Sequence, residues 1–493
     1  MAVAESIDAR AATADRTHPK GLYVLFATEM WERFSFYSML ALFTLYLQDT
    51  TQGFGWARAD ATRLYSYYLA AVYFSPLVGG IIADMKLGYR RSVMVGGFFF
   101  MAGHLLLSFP IVWVMYLALV CLVIGNGFFK PNVSAMVGKL YPEGSHLKDR
   151  AYNIFYMGIN VGAFIAPIVM EVVKQKVGYH PAFAVAAGGM VVSVVTLATF
   201  KRHVEHADIR PGGKAPRDSK AALVTEDAPP IEPDSTHSHG GADRTSGATL
   251  ANEANARRAS AIDAVSDNKR IIALIVVFAI VVVFWMAFHQ NGATWTYWAN
   301  DNTDWGASSV VPVIIAIFTL GLIDGSDVSG VISNAINPFF VIVLTFPLIW
   351  FWGWLDKKGK EPSTPMKMAI GMLLVAAAYM IMYQAAMSGG NAGRVSPWWL
   401  IGGYAVITLG ELMLSPMGLS LVSKVAPIRM RGLMMGGWFA ATATGNYLVG
   451  TIGVKWTEWT HSKFFFVVAV MCAAVGLILF LIIKPLKKAM PGV

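Results

Sequence analysis

Twelve runs of apolar residues divide this chain, near 22–47, 61–83, 92–110, 112–139, 151–173, 181–200, 270–298, 330–354, 366–388, 397–424, 432–454 and 463–484. Most approach or exceed the ~20 residues that a helix needs to cross a hydrocarbon layer. In hydrocarbon every backbone polar group must be satisfied internally, and consecutive runs of this length satisfy theirs as helices. Several are longer than 25 residues, which implies tilt or extension past the membrane. The fold class that follows is an all-α integral membrane protein.

Composition agrees. Only 14% of residues are charged, against roughly 25% in a soluble domain, and the mean hydropathy is +0.52. The net charge of +9 does not point to nucleic acid, because the basic residues sit in short connections between apolar runs. Lys86, Arg90 and Arg91 follow span two, and Lys139, Lys148 and Arg150 follow span four. Lys201 and Arg202, Lys357 to Lys360, Lys424 to Arg431, and Lys484 to Lys488 follow spans six, eight, ten and twelve. Under the positive-inside rule, both termini and every even connection are cytoplasmic. The chain opens with a polar stretch and no cleavable signal peptide. Cys121 and Cys472 lie inside apolar runs and read as small apolar fillers.

Two segments break the pattern. Residues 309–323 are apolar but only about 15 long, too short to span; they are expected to be interfacial, re-entrant or packed on the bundle. Residues 203–268 are rich in Ala, Asp, Arg, Ser, Gly and Pro, and read as a flexible cytoplasmic linker. His237 and His239 within it are two ligands without a third, so no metal site is expected. The domain reading is a six-helix bundle over 1–202, the linker over 203–268, and a second six-helix bundle over 269–493.

Charges inside the spans carry the functional signal. Glu29, Glu32 and Arg33 lie within span one at i, i+3 and i+4, on one helical face. Each costs about 2.5–3.5 kcal/mol at a helix centre on insertion scales, so they must face an interior or a wet cavity. A purely structural ion-pair cluster is the alternative, but buried pairs are poor stabilisers against apolar replacements. Lys130 in span four, Asn160 in span five and Glu411 in span ten, with Ser415 one turn on, repeat the anomaly. A lysine in one half and a glutamate in the other suit a gate that forms in one conformation and breaks in another. His289 follows Trp285 by one turn of span seven. It is either a hydrogen-bonded core residue or a group that titrates near physiological pH.

The stretch Gly79-Gly80-Ile-Ile-Ala-Asp84, followed by Lys86, Gly88, Arg90 and Arg91, resembles the loop signature between the second and third helices of the major facilitator superfamily. It suits two close-packed helices and a salt-bridged turn. Five further stretches, in order, resemble the proton-dependent oligopeptide transporters of that superfamily. They are Glu29-Met-Trp-Glu-Arg-Phe-Ser-Phe-Tyr37, GNGFFKPNVSAMVGKLY (125–141), FYMGINVGAF (155–164), KEPSTPMKMAIGM (360–372) and GELMLSPMGLSLVSKVAP (410–427).

The resemblance implies a major facilitator fold, six plus six helices around a central cavity. The implied activity is proton-coupled import of di- and tripeptides across the cytoplasmic (inner) membrane by a monomer, with no cofactor beyond the coupling proton. It places Glu29, Glu32 and Arg33 in proton coupling, with His289 at a position where members usually carry Glu or Asp. Arg33 and Lys130 would face the peptide carboxylate, and protonation of Glu32 would free Arg33. Asn160, Asn337 and Glu411 would grip the backbone and amino end, with Ser415 beside Glu411. Tyr37 and Tyr73 would line the pocket, and Trp285 and Trp438 would shape side-chain space. Phe36 and Leu40 stand where many members have Tyr and Arg, which leaves the carboxylate to Arg33 and Lys130.

The placement of charges supports peptide independently, since a cationic cluster facing a carboxylate suits a zwitterion of fixed length. The other cargo this fold would carry is nitrate or another small organic anion. A membrane-embedded enzyme is disfavoured by the lack of His-Glu-x-x-His and Gly-x-Ser-x-Gly, and ATP drive by the lack of a Walker loop. A non-transporting peptide sensor acting through residues 203–268 is a further alternative.

Overall fold

In the computed structural model the described residues are 17–142, 145, 147–208 and 264–491, the side chains of 149, 415–420, 423, 428 and 431 excepted. Fourteen α-helices run through them, twelve of 18 residues or more. The first half holds α1 (Lys20–Gln48), α2 (Arg58–Ile82), α3 (Tyr89–Leu106), α4 (Val112–Lys139), α5 (Leu147–Val177) and α6 (Tyr179–Thr199). The second half holds α7 (Asp267–Phe288), the short α8 (Thr294–Asp301) and α9 (Val311–Phe318), then α10 (Ile336–Lys357), α11 (Thr364–Ser388), α12 (Pro397–Val425), α13 (Arg431–Gly453) and α14 (His461–Ala489). Nine helical segments are long and apolar enough to cross a membrane. The other three long helices, α1, α3 and α13, pack among them. The charged triad of α1 is what lowers its hydropathy.

Each half is a bundle with its own contacts. In the first, α1 packs on α5 and α6, and α4 on α2 and α3. In the second, α11 packs on α12 and α14, and α7 on α13 and α14. The halves meet along two seams, α2 against α13 and α5 against α10. Counted as spans, these are two with eleven and five with eight. Advancing each number by six turns one seam into the other. The halves are thus related by a pseudo-twofold axis that passes between the seams, and the central space lies on that axis. This is the arrangement of a major facilitator fold.

Close approach of the helices depends on glycine. A Cβ on Gly79 of α2 would lie 1.9 Å from the Gly127 carbonyl oxygen of α4. Gly88, with φ of 76°, makes the turn from α2 to α3. The ion pair at this turn differs from the one expected: Arg90 pairs with Asp208 (3.3 Å), which also accepts the Arg90 backbone N–H at 3.0 Å.

Two boundaries depart from the sequence reading. Span seven is not one helix: α7 ends at Phe288, a 3-10 turn covers His289–Gly292, and α8 resumes at Thr294. Residues 201–207 form two 3-10 turns rather than the start of a linker, because Val204 and Ala207 are fully buried against the first half. The remainder of the expected linker up to residue 263, with the two-histidine tract, lies outside the described residues. Segment 309–323 does not span. Its only helix is the eight-residue α9, which packs Phe318 edge-on against Phe164 of α5 (5.2 Å).

Replacing Gly79 with Ala must push α2 from α4, an overpacking that typically costs about 1–3 kcal/mol. The G79A protein is expected to unfold at lower temperature than the parent in detergent, followed by tryptophan fluorescence. An unchanged midpoint would contradict the packing account.

Candidate functional site

The charged triad of α1 sits at the centre of the first half, and Glu29, Glu32 and Arg33 are all fully buried. Helical spacing puts Glu29 and Arg33 one turn apart, and Arg33 Nε lies 3.2 Å from Glu29 Oε1. The same Nε donates to Glu32 Oε2, while Nη2 donates to Glu32 Oε1 at 2.6 Å. The guanidinium is therefore bound sideways by its sequence neighbour, a contact that the i, i+3, i+4 reading did not contain. Its other face lies 4.9 Å from the Phe36 ring.

A central cavity of about 70 Å³ opens between the halves. Its first-half wall includes Tyr37, Leu40, Tyr65, Leu69, Tyr73, Tyr156 and Asn160. Its second-half wall includes Trp285, His289, Asn291, Asn334, Asn337 and Glu411. Lys130 lies behind the first wall, 4% exposed, with Nζ 5.2 Å from the centre of the Tyr73 ring. The Tyr73 hydroxyl crosses the cavity to His289 Nε2 at 3.3 Å. The His289 ring is stacked on Trp285, 4.8 Å away and 14° from parallel. On the far side, Asn337 Nδ2 donates to Glu411 Oε2 at 2.8 Å and to Thr408 Oγ1 at 2.9 Å. Cationic groups thus back one wall and a held carboxylate lines the other.

Not every expected residue reaches the cavity. Trp438 does not line it. The register of α13 turns this fully buried indole toward α7, where it meets Phe278 edge-on at 6.4 Å. Asn160 lines the wall, but its amide donates to the Tyr156 carbonyl of its own helix at 2.9 Å. Ser415 lies on α12, and its side chain is outside those described. Several wall residues were not singled out from sequence. Tyr65 and Leu69 share the α2 face of Tyr73 at four-residue steps, and that spacing was available as a signal. Asn291 lines the wall where the chain breaks helix at 289–292, and the polar run His289-Gln290-Asn291-Gly292 was the available signal.

On the rim away from the chain termini the halves are joined by polar contacts. Arg58 Nη2 meets Asp301 at 2.8 Å, Thr62 and Tyr297 share a hydrogen bond at 3.0 Å, and Thr44 donates to the Gly292 carbonyl at 3.2 Å. A Cβ on Gly292 would fall 1.9 Å from the Tyr65 hydroxyl, so little space passes this level. The cavity is closed on that side.

Comparison with known proteins agrees with this geometry. A di-/tripeptide transporter of Lactococcus lactis is 33% identical over 96% of this chain and 97% of its own. The peptide transporter YePEPT of Yersinia enterocolitica is 32% identical, covering 96% and 95%. Among solved structures, a variant of the peptide transporter POT in complex with alafosfalin superimposes with a TM-score of 0.78 at 29% identity, covering 96% of each chain. The family model described as the POT family matches residues 90–476, from the first turn of α3 into α14. With the family model over most of its length and relatives more than 30% identical across nearly all of it, the chain belongs to the POT family of transporters.

Proposed function

We propose that this protein imports di- and tripeptides across the cytoplasmic membrane with protons, by alternating access, as a monomer with cytoplasmic termini. The observation that carries the reading is the polarity of the cavity: Arg33 and Lys130 behind the first-half wall, and Glu411 held by Asn337 on the second. A dipeptide presents a carboxylate and an ammonium group at fixed separation, and charge-assisted hydrogen bonds to both ends fix its orientation. Aromatic and apolar walls from Tyr37, Tyr73, Trp285 and Leu40 accept varied side chains. A nitrate or small-anion carrier, the other cargo open to this fold, gains nothing from Glu411.

The cavity of about 70 Å³ is smaller than the ~300–1,000 Å³ of ordinary small-molecule sites. Seating a peptide therefore requires the walls to part, which couples binding to movement of the halves. In the contracted state Arg33 is held by Glu29 and Glu32. Protonating Glu32 removes its claim on the guanidinium and releases Arg33 toward a peptide carboxylate. Proton entry and peptide binding thereby share one residue. A membrane potential contributes about 2.3 kcal/mol per charge per 100 mV, enough for roughly 50-fold accumulation with one proton. No cofactor is needed.

Labelled dialanine should enter proteoliposomes faster under an imposed inward proton gradient than without it. E32Q should keep peptide exchange down a concentration gradient and lose gradient-driven accumulation. Accumulation at the parent level in E32Q would remove Glu32 from coupling, and gradient-independent uptake that excess peptide does not compete would end the peptide reading.

His289 adds an imidazole at the crossing between halves, through its contact with the Tyr73 hydroxyl. An unperturbed imidazole changes charge nearer physiological pH than any other ordinary side chain. H289A is expected to alter the pH profile of dialanine uptake. An identical profile would leave His289 with a packing role alone.

A further inference from the structure

Glu171, on α5 between the cavity and the rim away from the termini, belongs to none of the motifs above and is fully buried. A buried carboxylate is tolerated only when its oxygens are filled by donors. Here Oε1 accepts from the Ser329 backbone N–H at 2.7 Å and from Gln175 Nε2 at 2.9 Å. Oε2 accepts from the Ser329 hydroxyl at 2.6 Å and from Lys174 Nζ at 3.2 Å. Lys174 also donates to the Ser329 hydroxyl, and Gln175 Nε2 donates to the Asp327 carbonyl at 2.6 Å. Ser329 caps the 3-10 turn Gly330–Ala335 that leads into α10. Three residues on one face of a first-half helix thus grasp the entry to a second-half helix.

We infer that the Glu171–Ser329 clasp is the latch that holds the two halves together on this rim, and that Glu171 sets how often the rim opens. The inference rests on the alternating-access reading of this fold. The division of partners is what makes the clasp reversible. Lys174 and Gln175 are carried on the same helix as Glu171, so they stay with its carboxylate when the halves part. When the halves part, the contacts that cross between them break (the two from Ser329 to Glu171, that of Lys174 with the Ser329 hydroxyl and that of Gln175 with the Asp327 carbonyl), and water replaces them at the rim. A permanent staple would draw all its donors from the far side. The second ionic contact on this rim, Arg58 with Asp301, has side chains 31% and 35% exposed. Solvent screens such a pair, and it contributes little to holding the rim shut.

The test uses the full chain in lipid nanodiscs with C121S and C472S, and spin labels at W113C of α4 and M387C of α11, both on this rim and both exposed. Double electron–electron resonance without substrate reads the open-to-closed ratio. E171A should raise that ratio about tenfold or more, the size of a lost charge-assisted hydrogen bond. S329A, which keeps the backbone N–H, should raise it less, and R58A by under threefold. If E171A does not fold, E171Q and S329A decide: both should shift the ratio toward open. Distance distributions identical to the parent in E171Q and S329A, or a larger shift in R58A than in E171A, would overturn the latch. Because no peptide is present, the outcome is independent of cargo. Dialanine uptake by the parent with unchanged distributions would remove the latch and leave the proposed function standing.

Discussion

An ionised side chain in hydrocarbon has to find a partner or a wet interior, and the rest of this molecule follows from where its charges go. Three of them occupy one turn of α1, at about 2.5–3.5 kcal/mol each if left to lipid. They force α1 inward, and it packs on α5 and α6 with the triad fully enclosed. The second half answers with Glu411 on the facing wall, held by Asn337, whose amide also donates to Thr408. Because each half must turn its charged face away from lipid, the two faces meet, and the space where they meet becomes the cavity.

The two seams explain how such a cavity can be reached from either side. Pairing α2 with α13 and α5 with α10 leaves the halves as separate bundles in contact along two lines. The interrupted helix at His289–Gly292 places a histidine and backbone carbonyls at the level where the cavity ends. Thr44 reaches the Gly292 carbonyl at that level, and Tyr65 presses on the Gly292 backbone. Above it, the Arg58 pair and the Glu171 clasp join the halves on opposite seams. These polar contacts between halves lie on one rim and in the cavity itself, where proton and substrate can alter them.

Hydropathy and charge placement made the bundle legible from sequence, since span length and the positions of Lys and Arg are properties of the chain alone. Of the wall residues, Asn160 and Glu411 were legible as polar groups inside apolar spans, while Tyr37, Tyr73, Trp285 and Asn337 were placed through the motifs that resemble the family. What was not legible depended on partners distant in sequence. Trp438 needed the register of α13 against Phe278. The docking of residues 201–207 needed the surface that buries Val204 and Ala207. The helix break after Phe288 falls on the polar run His289-Gln290-Asn291-Gly292, an Asn-Gly turn signal that the reading of one long span passed over. Glu171 was not singled out from sequence, because its partner Ser329 lies 158 positions away.

The central claim is that the cavity reads both ends of a peptide, a carboxylate through Arg33 and Lys130 and an ammonium through Glu411. Competition against labelled dialanine uptake by unlabelled dialanine, N-acetyl-dialanine and dialanine amide tests it most directly. The account predicts that blocking either end raises the concentration needed for half inhibition by about tenfold or more, as expected for loss of a charge-assisted contact. Inhibition by N-acetyl-dialanine at the same concentration as dialanine would contradict it.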